Sequence, residues 1–188
     1  AGVTGQHGVA ENLADLFASF QSLSTDPTSL TERQNVLLRA QELATQFNQI
    51  DARLGGLRTS LSQNVTEGVS RANGLIDSIA DLNRRILTSE AGNPGSANDL
   101  RDLRQQRIEE LAGLVDVQTV EQATGAVDLS IAGQSILSGP NLVDRLEAFD
   151  AGGGQILVRT QTGQATLALT GGSLQGTIDA RDGGLQTL

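Results

Sequence analysis

The first apolar pattern along the chain predicts an amphipathic helix near its beginning. Its apolar residues recur at spacings of three and four residues: Val9, Leu13, Leu16, Phe17, Phe20 and Leu23. This spacing places them on one face of an α-helix. We expect this helix over about 8–24, ending before Pro27, because a proline disfavours helical geometry in the preceding residue and donates no backbone hydrogen bond.

A second and much longer helix follows the turn, and its start has two candidate caps. Asp26 is the cap if Pro27 takes the first helical position. Ser29 is the cap if it forms a capping box with Glu32, three residues later. Both starts predict a short turn that sends the chain into a helix over about 27–88, on the order of 90 Å long at 1.5 Å per residue.

The apolar seam of this helix alternates steps of four and three residues, as in a left-handed coiled coil. Its first part comprises Val36, Ala40, Leu43, Phe47, Ile50, Leu54, Leu57 and Leu61. Two successive four-residue steps around Leu61 then indicate a stutter. The second part comprises Val65, Val69, Ala72, Ile76, Ile79 and Ile86. Glycines at positions 55 and 56 mark the expected place of any kink, because glycine weakens a helix interior.

A breaker at Ala91–Ser96, with glycines and a proline, predicts the end of the long helix. Asn98 is the expected cap of a third helix over about 98–115, packed antiparallel on the end of the second. Its apolar side carries Leu100, Leu103, Ile108, Leu111, Leu114 and Val115. Acids and arginines alternate on the other side, which we interpret as a solvated face. These residues are Asp99, Arg101, Asp102, Arg104, Arg107, Glu109 and Glu110.

From Val117 the apolar period changes from 3.6 to 2, which indicates β-strands. Short strands are predicted near 117–122, 127–131, 135–137, 143–149, 155–160 and 165–169, separated by turns that contain glycine. Together they form an antiparallel meander of hairpins. Ser173 is the expected cap of a final helix that begins the return to the helical part, with one apolar side formed by Leu174, Ile178, Leu185 and Leu188.

The predicted fold class is therefore α+β: an elongated, mainly α-helical bundle or coiled coil with an inserted small antiparallel β domain. The expected domains are a helical rod over 1–116, the β domain over 117–170, and the start of a returning helix over 171–188. With only four aromatic residues, all Phe, the core must consist of Leu, Ile, Val and Ala, which suits helix seams.

Composition excludes several kinds of chemistry. The sequence has no Cys, and all thirteen basic residues are Arg, so thiolate nucleophiles, zinc thiolates, disulfides and lysine Schiff bases are absent. A net charge of -9 opposes nucleic acid as a partner. No apolar run approaches the roughly 20 residues of a membrane span, and the first residues lack the features of a secretory signal. Because it starts at Ala without Met, we expect the chain to be an excised piece.

The candidate reactive groups do not form a catalytic or metal site. His7 has no second ligand nearby and is interpreted as a terminal histidine. Acids of the third helix offer paired carboxylates by spacing, but arginines interleave with them, as in surface ion pairs. Gly152–Gly154 lacks the spacing and the following helix of a dinucleotide site. Asn64–Thr66 matches a glycosylation acceptor by chance. We expect no catalytic residue, cofactor, metal or enzymatic activity.

Four segments, in order, resemble the flagellar hook-associated protein 1 family. The first is Leu16–Phe20 with Asp26–Leu30 and Arg33–Gln34, and the second is Ile76–Ile86, which contains Ala80–Asn83 near its end. The third is Asn98–Arg104, leading to Leu111 and Val115–Val117, and the fourth is Gly171–Gly176 with Ala180–Asp182. The resemblance implies a structural axial protein of the bacterial flagellum, exported by the flagellar type III apparatus and located outside the cell, that joins hook to filament.

The implied partners are other copies of the protein, the hook protein and the second hook-filament junction protein. The family's terminal polymerisation segments are not in this chain, so we expect the fragment to be monomeric in dilute solution. We also expect the β domain to be dispensable for filament attachment. The alternatives are another flagellar axial protein, flagellin or the second junction protein, and a helical-bundle sensor or adhesin module. The Asp26–Leu30 segment with its long following helix favours the first junction protein.

Overall fold

The computed structural model describes residues 8–93 and 95–183. In chain order, the helices are α1 (Val9–Thr25), α2 (Leu30–Ser89), α3 (Asn98–Ala112) and α4 (Gly172–Asp182). Between α3 and α4 lie six strands: β1 (Val117–Glu121), β2 (Val127–Ile131), β3 (Gln134–Ser138), β4 (Asn141–Leu142), β5 (Leu146–Asp150) and β6 (Ile156–Thr160). The mainly helical α+β class, with one long helix and small antiparallel sheets, is confirmed.

Hydrogen bonds at the helix starts decide between the predicted caps. The hydroxyl of Ser29 accepts the backbone N–H of Glu32 at 3.3 Å, so the second of the two candidate starts of α2 is the correct one. The predicted cap of α3 is wrong, because Asn98 is already the first helical residue and Ala97 holds the cap position. Ser173 likewise lies inside α4, whose cap position is Gly171.

The chain divides into two compact units. They comprise Ala1–Leu57 and Arg58–Leu188. The division falls inside α2, which continues as a helix through both glycines at 55 and 56 and past the predicted stutter. The second half of α2 belongs with the β-strands because the two share one apolar core.

In the first unit, α1 and the first part of α2 form an antiparallel helical hairpin. The side chain of Asn12 donates to that of Gln46 at 2.5 Å, and Arg39 lies 3.8 Å from Asp15. The predicted seam is only partly buried here, since Val36 is its one buried member. Several large apolar residues are exposed instead: Leu13, Phe17, Phe20, Leu30, Leu37, Leu38, Phe47 and Leu57.

In the second unit, the predicted seam of α2 is confirmed. All six of its members are buried: Val65, Val69, Ala72, Ile76, Ile79 and Ile86. All of them except Ile86 share a core with Ile108, Leu111 and Val115 of the α3 region and with apolar residues of the strands and α4. Polar contacts give α3 the expected antiparallel direction, because Glu90 contacts Arg101 whereas the earlier Asn83 contacts the later Arg104.

The strands form two antiparallel sheets rather than one meander. One sheet has the order β1-β2-β3-β4, and β5 with β6 forms a separate hairpin. The predicted strand at 165–169 is wrong: among the described residues it makes a single bridge, Thr166 with Arg159. Its backbone hydrogen bonds to β6 stop after Leu167, because the chain then leaves the hairpin toward Thr170 and α4.

Candidate functional site at the junction of helices and sheets

The inserted β segment leaves and rejoins the helices at one place, which we call the neck and define as 113–116 with 170–174. The carboxylate of Asp116 accepts two hydrogen bonds from Thr170, one from its backbone N–H at 3.3 Å and one from its hydroxyl at 2.8 Å. Fifty-four residues separate this pair in the sequence. The two ends of the insertion are therefore held together independently of the sheets between them.

Backbone hydrogen bonds complete the neck and require a glycine. Ser173 N–H donates to Gly113 and Leu174 N–H to Leu114, both at 3.0 Å. Gly172 adopts φ +82°, and a Cβ there would lie 2.4 Å from the carbonyl oxygen of Leu114. Only glycine tolerates both the left-handed backbone and this close approach. The glycine at the first position of α4 thus has a direct physical reason.

Asn73 of α2 docks the β5-β6 hairpin. Its amide nitrogen donates to the carbonyl oxygen of Leu146 at 2.8 Å, and its amide oxygen accepts the N–H of the same residue at 3.0 Å. This pairing imitates one rung of a β-sheet. An ion pair between Asp77 and Arg145 at 2.7 Å adds a second contact one helical turn further along α2.

Asn83 docks the four-stranded sheet in the same way, but in a fully buried position. Its amide nitrogen donates to Val127 at 2.8 Å and to Gly139 at 2.6 Å, while its amide oxygen accepts the N–H of Val127 at 3.1 Å. The same oxygen accepts a hydrogen bond from Arg104 of α3 at 2.9 Å. Arg104 also donates to the carbonyl oxygen of Gly125 at 2.7 Å, so one buried cluster joins two helices and a turn.

An ion pair closes the end of α2 against α3 and β1. The guanidinium of Arg101 donates to both carboxylate oxygens of Glu90, at 2.9 and 2.8 Å, and to Glu121 at 2.5 Å. Glu90 also accepts the N–H of Ala97 at 3.1 Å, which replaces the side-chain cap that α3 lacks. The hydrogen bonds from Arg101 are the main reason that the pKa of Glu90 falls from 4.5 to about 2.

Arg101 and Arg104 correct the interpretation of α3 as having a solvated charged face. Arg104 is buried and Arg101 is partly buried, because the strands cover this side of the helix. Burial lowers the pKa of the Arg104 guanidinium. Sequence periodicity did not reveal these residues, since they alternate with acids that remain exposed. The exposed acids are Asp99, Asp102, Glu109 and Glu110.

The other candidate groups stay apart from one another. Gly152–Gly154 forms the turn between β5 and β6, and all three residues have positive φ. Asn64 is an exposed residue within α2. His7 lies outside the described residues. Over 8–93 and 95–183, no group of three or more His, Cys, Asp or Glu side chains is arranged to hold a metal ion. None of the described helices is long and apolar enough to cross a membrane.

Buried polar side chains at this junction form hydrogen bonds with one another and with backbone groups. Among the described residues, every buried side-chain nitrogen or oxygen has a hydrogen-bond partner. Such a site holds the helices and the sheets of this unit in a fixed relation. The fold and the site together therefore define a structural domain, in which helices carry an inserted β segment.

Comparison with known proteins identifies the family. The family model of the flagellar hook-associated protein FlgK helical domain matches residues 3–188, so the chain belongs to this family. The predicted resemblance is confirmed, and it is favoured over the other flagellar proteins and the sensor or adhesin. The chain is a flagellar hook-associated domain, located in the bacterial flagellum outside the cell.

Individual relatives agree with this assignment. Flagellar hook-associated protein 1 of Escherichia coli (strain K12) is 29% identical over 139 residues, which cover 72% of the chain and 25% of that protein. The protein of the same name from Salmonella typhimurium is 29% identical over 130 residues, covering 68% of the chain and 24% of that protein. The chain thus spans about a quarter of these relatives.

A solved structure shows the same fold. The flagellar hook junction protein FlgK from Burkholderia pseudomallei superposes with a TM-score of 0.82 at 25% sequence identity. The match covers 93% of the chain and 33% of that protein.

Proposed function

We propose that the protein containing this domain joins the flagellar hook to the filament as a structural adaptor. The match of the FlgK helical-domain family to residues 3–188 carries the proposal. Relatives named as hook-associated protein 1 and as a hook junction protein support it. Because the chain spans only about a quarter of the curated relatives, the junction role belongs to the whole protein.

In this proposal the domain has a structural role and catalyses no reaction. Its buried charged groups are engaged inside the domain: Glu90 and Arg101 form a two-pronged ion pair, and Arg104 donates to amide and carbonyl oxygens. A catalytic group needs a free acid, base or nucleophile directed at a substrate. We therefore expect the protein to have no enzymatic activity.

The exposed apolar residues of the helical hairpin are the proposed contact surface. Phe17, Phe20 and Phe47 are 64%, 50% and 53% exposed, although they are three of the four aromatic residues in the chain. Large exposed apolar side chains are typical of surfaces that pack against other protein. We propose that this surface contacts axial proteins of the flagellum, either other copies of the protein, the hook protein or the second hook-filament junction protein.

Deletion of the gene tests the adaptor role. Cells without the protein should carry hooks that lack filaments and should release unpolymerised flagellin into the medium. Electron microscopy and an immunoassay of the medium measure the two effects. Normal filaments on the deleted cells would refute the junction role.

Complementation with surface variants tests the contact surface. A full-length gene with Phe17→Ser and Phe20→Ser should be exported but should restore few filaments, since the variant lacks two apolar contacts. Val120→Ser is the matched control, because Val120 is 66% exposed on β1 of the inserted segment. Equal numbers of filaments with both genes would contradict the proposed surface.

The expected dispensability of the β domain needs a different test from deletion. Removing about 118–170 would uncover Ile76, Ile79 and Leu111, which are fully buried in the core that helices and strands share. Substitution of exposed β residues, beginning with Val120→Ser, leaves that core intact. We expect such variants to retain attachment.

The isolated chain should be monomeric in dilute solution, and a stable ring-sized species in light scattering would contradict this.

A further inference from the structure

One chemically labile dipeptide lies at the docking contact of the β5-β6 hairpin. Asn73 and Gly74 form the only Asn-Gly pair in the sequence. In a flexible chain, the backbone nitrogen after an asparagine attacks the side-chain carbonyl carbon, a C–N bond forms and ammonia leaves. Water then opens the resulting succinimide to aspartate or isoaspartate. Glycine after the asparagine favours this reaction because it has no side chain to hinder the attack.

The folded structure blocks each part of that attack. Both ends of the Asn73 amide are engaged by the backbone of Leu146, at 2.8 and 3.0 Å, and Leu146 itself is buried. Gly74 lies in the interior of α2, where the helical backbone keeps its nitrogen in the main-chain ladder and away from the preceding side chain. The reaction requires both local opening of α2 and release of the hairpin.

We propose that Asn73 is a conformationally protected deamidation site, intact while the hairpin is docked and converted when the chain is unfolded. The inference is independent of the junction role. Its products cannot restore the contact. Aspartate has no N–H to donate to the carbonyl oxygen of Leu146 and sets an acceptor against an acceptor. Isoaspartate adds a backbone atom to α2 and interrupts its hydrogen bonds. Chains that remain unfolded for long therefore lose the ability to dock the hairpin.

Asn83 provides an internal comparison for this site. It makes the same kind of two-sided contact with the backbone, but Arg84 follows it instead of glycine. Trypsin cleavage after Arg71 and Arg84 yields one peptide, 72–84, that contains both asparagines. Tandem mass spectrometry of this peptide assigns an amide-to-acid change to one position or the other.

The rate test uses the unmodified chain, folded in buffer or unfolded in concentrated urea at the same mildly alkaline pH. We expect deamidation at Asn73 to be at least about tenfold faster in the unfolded chain, because a helix packed against a core opens rarely. Asn83 should change slowly in both samples. Gly74→Ala is the matched control: a Cβ there has open space, and its methyl group should slow the reaction in urea. Equal rates at Asn73 in the folded and unfolded chain would overturn the proposal.

A second measurement tests the consequence for docking. Asn73→Asp should increase hydrogen exchange at Leu146–Asp150, while α3 keeps its protection. Asn64→Asp changes an exposed asparagine of the same helix and should leave this exchange unchanged. Unchanged protection of β5 in Asn73→Asp would show that the product still docks and would refute this part of the proposal.

Discussion

Replacing Gly172 with alanine should break the neck of the inserted segment. The φ of +82° costs a non-glycine residue about 1–2 kcal/mol. The new Cβ would also lie 2.4 Å from the carbonyl oxygen and 2.5 Å from the carbonyl carbon of Leu114. Backbone atoms cannot rotate away as a side chain does, so relieving this overlap costs about 1–3 kcal/mol more. We expect a total loss of roughly 2–5 kcal/mol in the free energy of unfolding.

Thermal unfolding followed by circular dichroism measures this loss. For a chain of this size, 3 kcal/mol lowers Tm by roughly 6–12 °C. Gly176→Ala is the control in the same helix, because no atom lies within 4 Å of its added Cβ. That variant should be neutral or slightly stabilised. A Gly172→Ala variant within about 0.5 kcal/mol of the original protein would refute the argument from positive φ and close approach.

Three further predictions address other parts of the structure. Asn83→Ala should destabilise the chain by at least about 3 kcal/mol in urea unfolding, because buried Arg104 and several backbone groups lose a partner. The Glu90 pair should add stability above pH 4.5 that is lost as the pH falls toward 2, since the folded pKa is depressed. In the Glu90→Gln variant, the free energy of unfolding should therefore fall less steeply between pH 4.5 and pH 2. Gly56→Ala should raise stability by about 0.5–1 kcal/mol, because the added methyl group meets open space in a helix.

Each of these has a distinct contrary outcome and control. Asn64→Ala, at an exposed position of the same helix, controls for helix propensity in the Asn83 experiment; equal stability of the two variants would contradict the docking role. If the free energy of unfolding of Glu90→Gln falls with pH as steeply as in the original protein, other carboxylates govern acid unfolding. Gly68→Ala is compared with Gly56→Ala, since its Cβ would lie 2.5 Å from a side-chain carbon of Leu174. The same gain at both positions would contradict the packing described for α4.

Apolar periodicity predicted the second seam of α2 correctly and the first one only in part. Both seams have the same rhythm of threes and fours, but the residues from Val65 to Ile79 meet α3, α4 and the sheets. Phe47 and Leu57 of the first seam are exposed among the described residues, as are Phe17 and Phe20 of α1. Periodicity states which side of a helix is apolar; it contains no information on whether another element lies against that side.

Sequence patterns did not predict the residues that dock the sheets on the helices, for a related reason. Asn73 and Asn83 are ordinary polar positions in a helical pattern, and Arg104 alternates with acids that remain in solvent. Their roles depend on Leu146 and Val127, which lie 73 and 44 residues away along the chain. No local pattern encodes a contact at such a separation.

The sequence by itself determined the succession of short helix, long helix, short helix, strands and returning helix, because each period and each glycine or proline acts within a few residues. It also determined the absence of cysteine and lysine chemistry. Only the tertiary structure decided that the strands divide into two sheets and that each is docked to α2 by an asparagine. The tertiary structure alone also decided that the two ends of the insertion meet at Gly172. Distant backbone segments must come together before steric fit and buried hydrogen bonds can favour one residue type at a position.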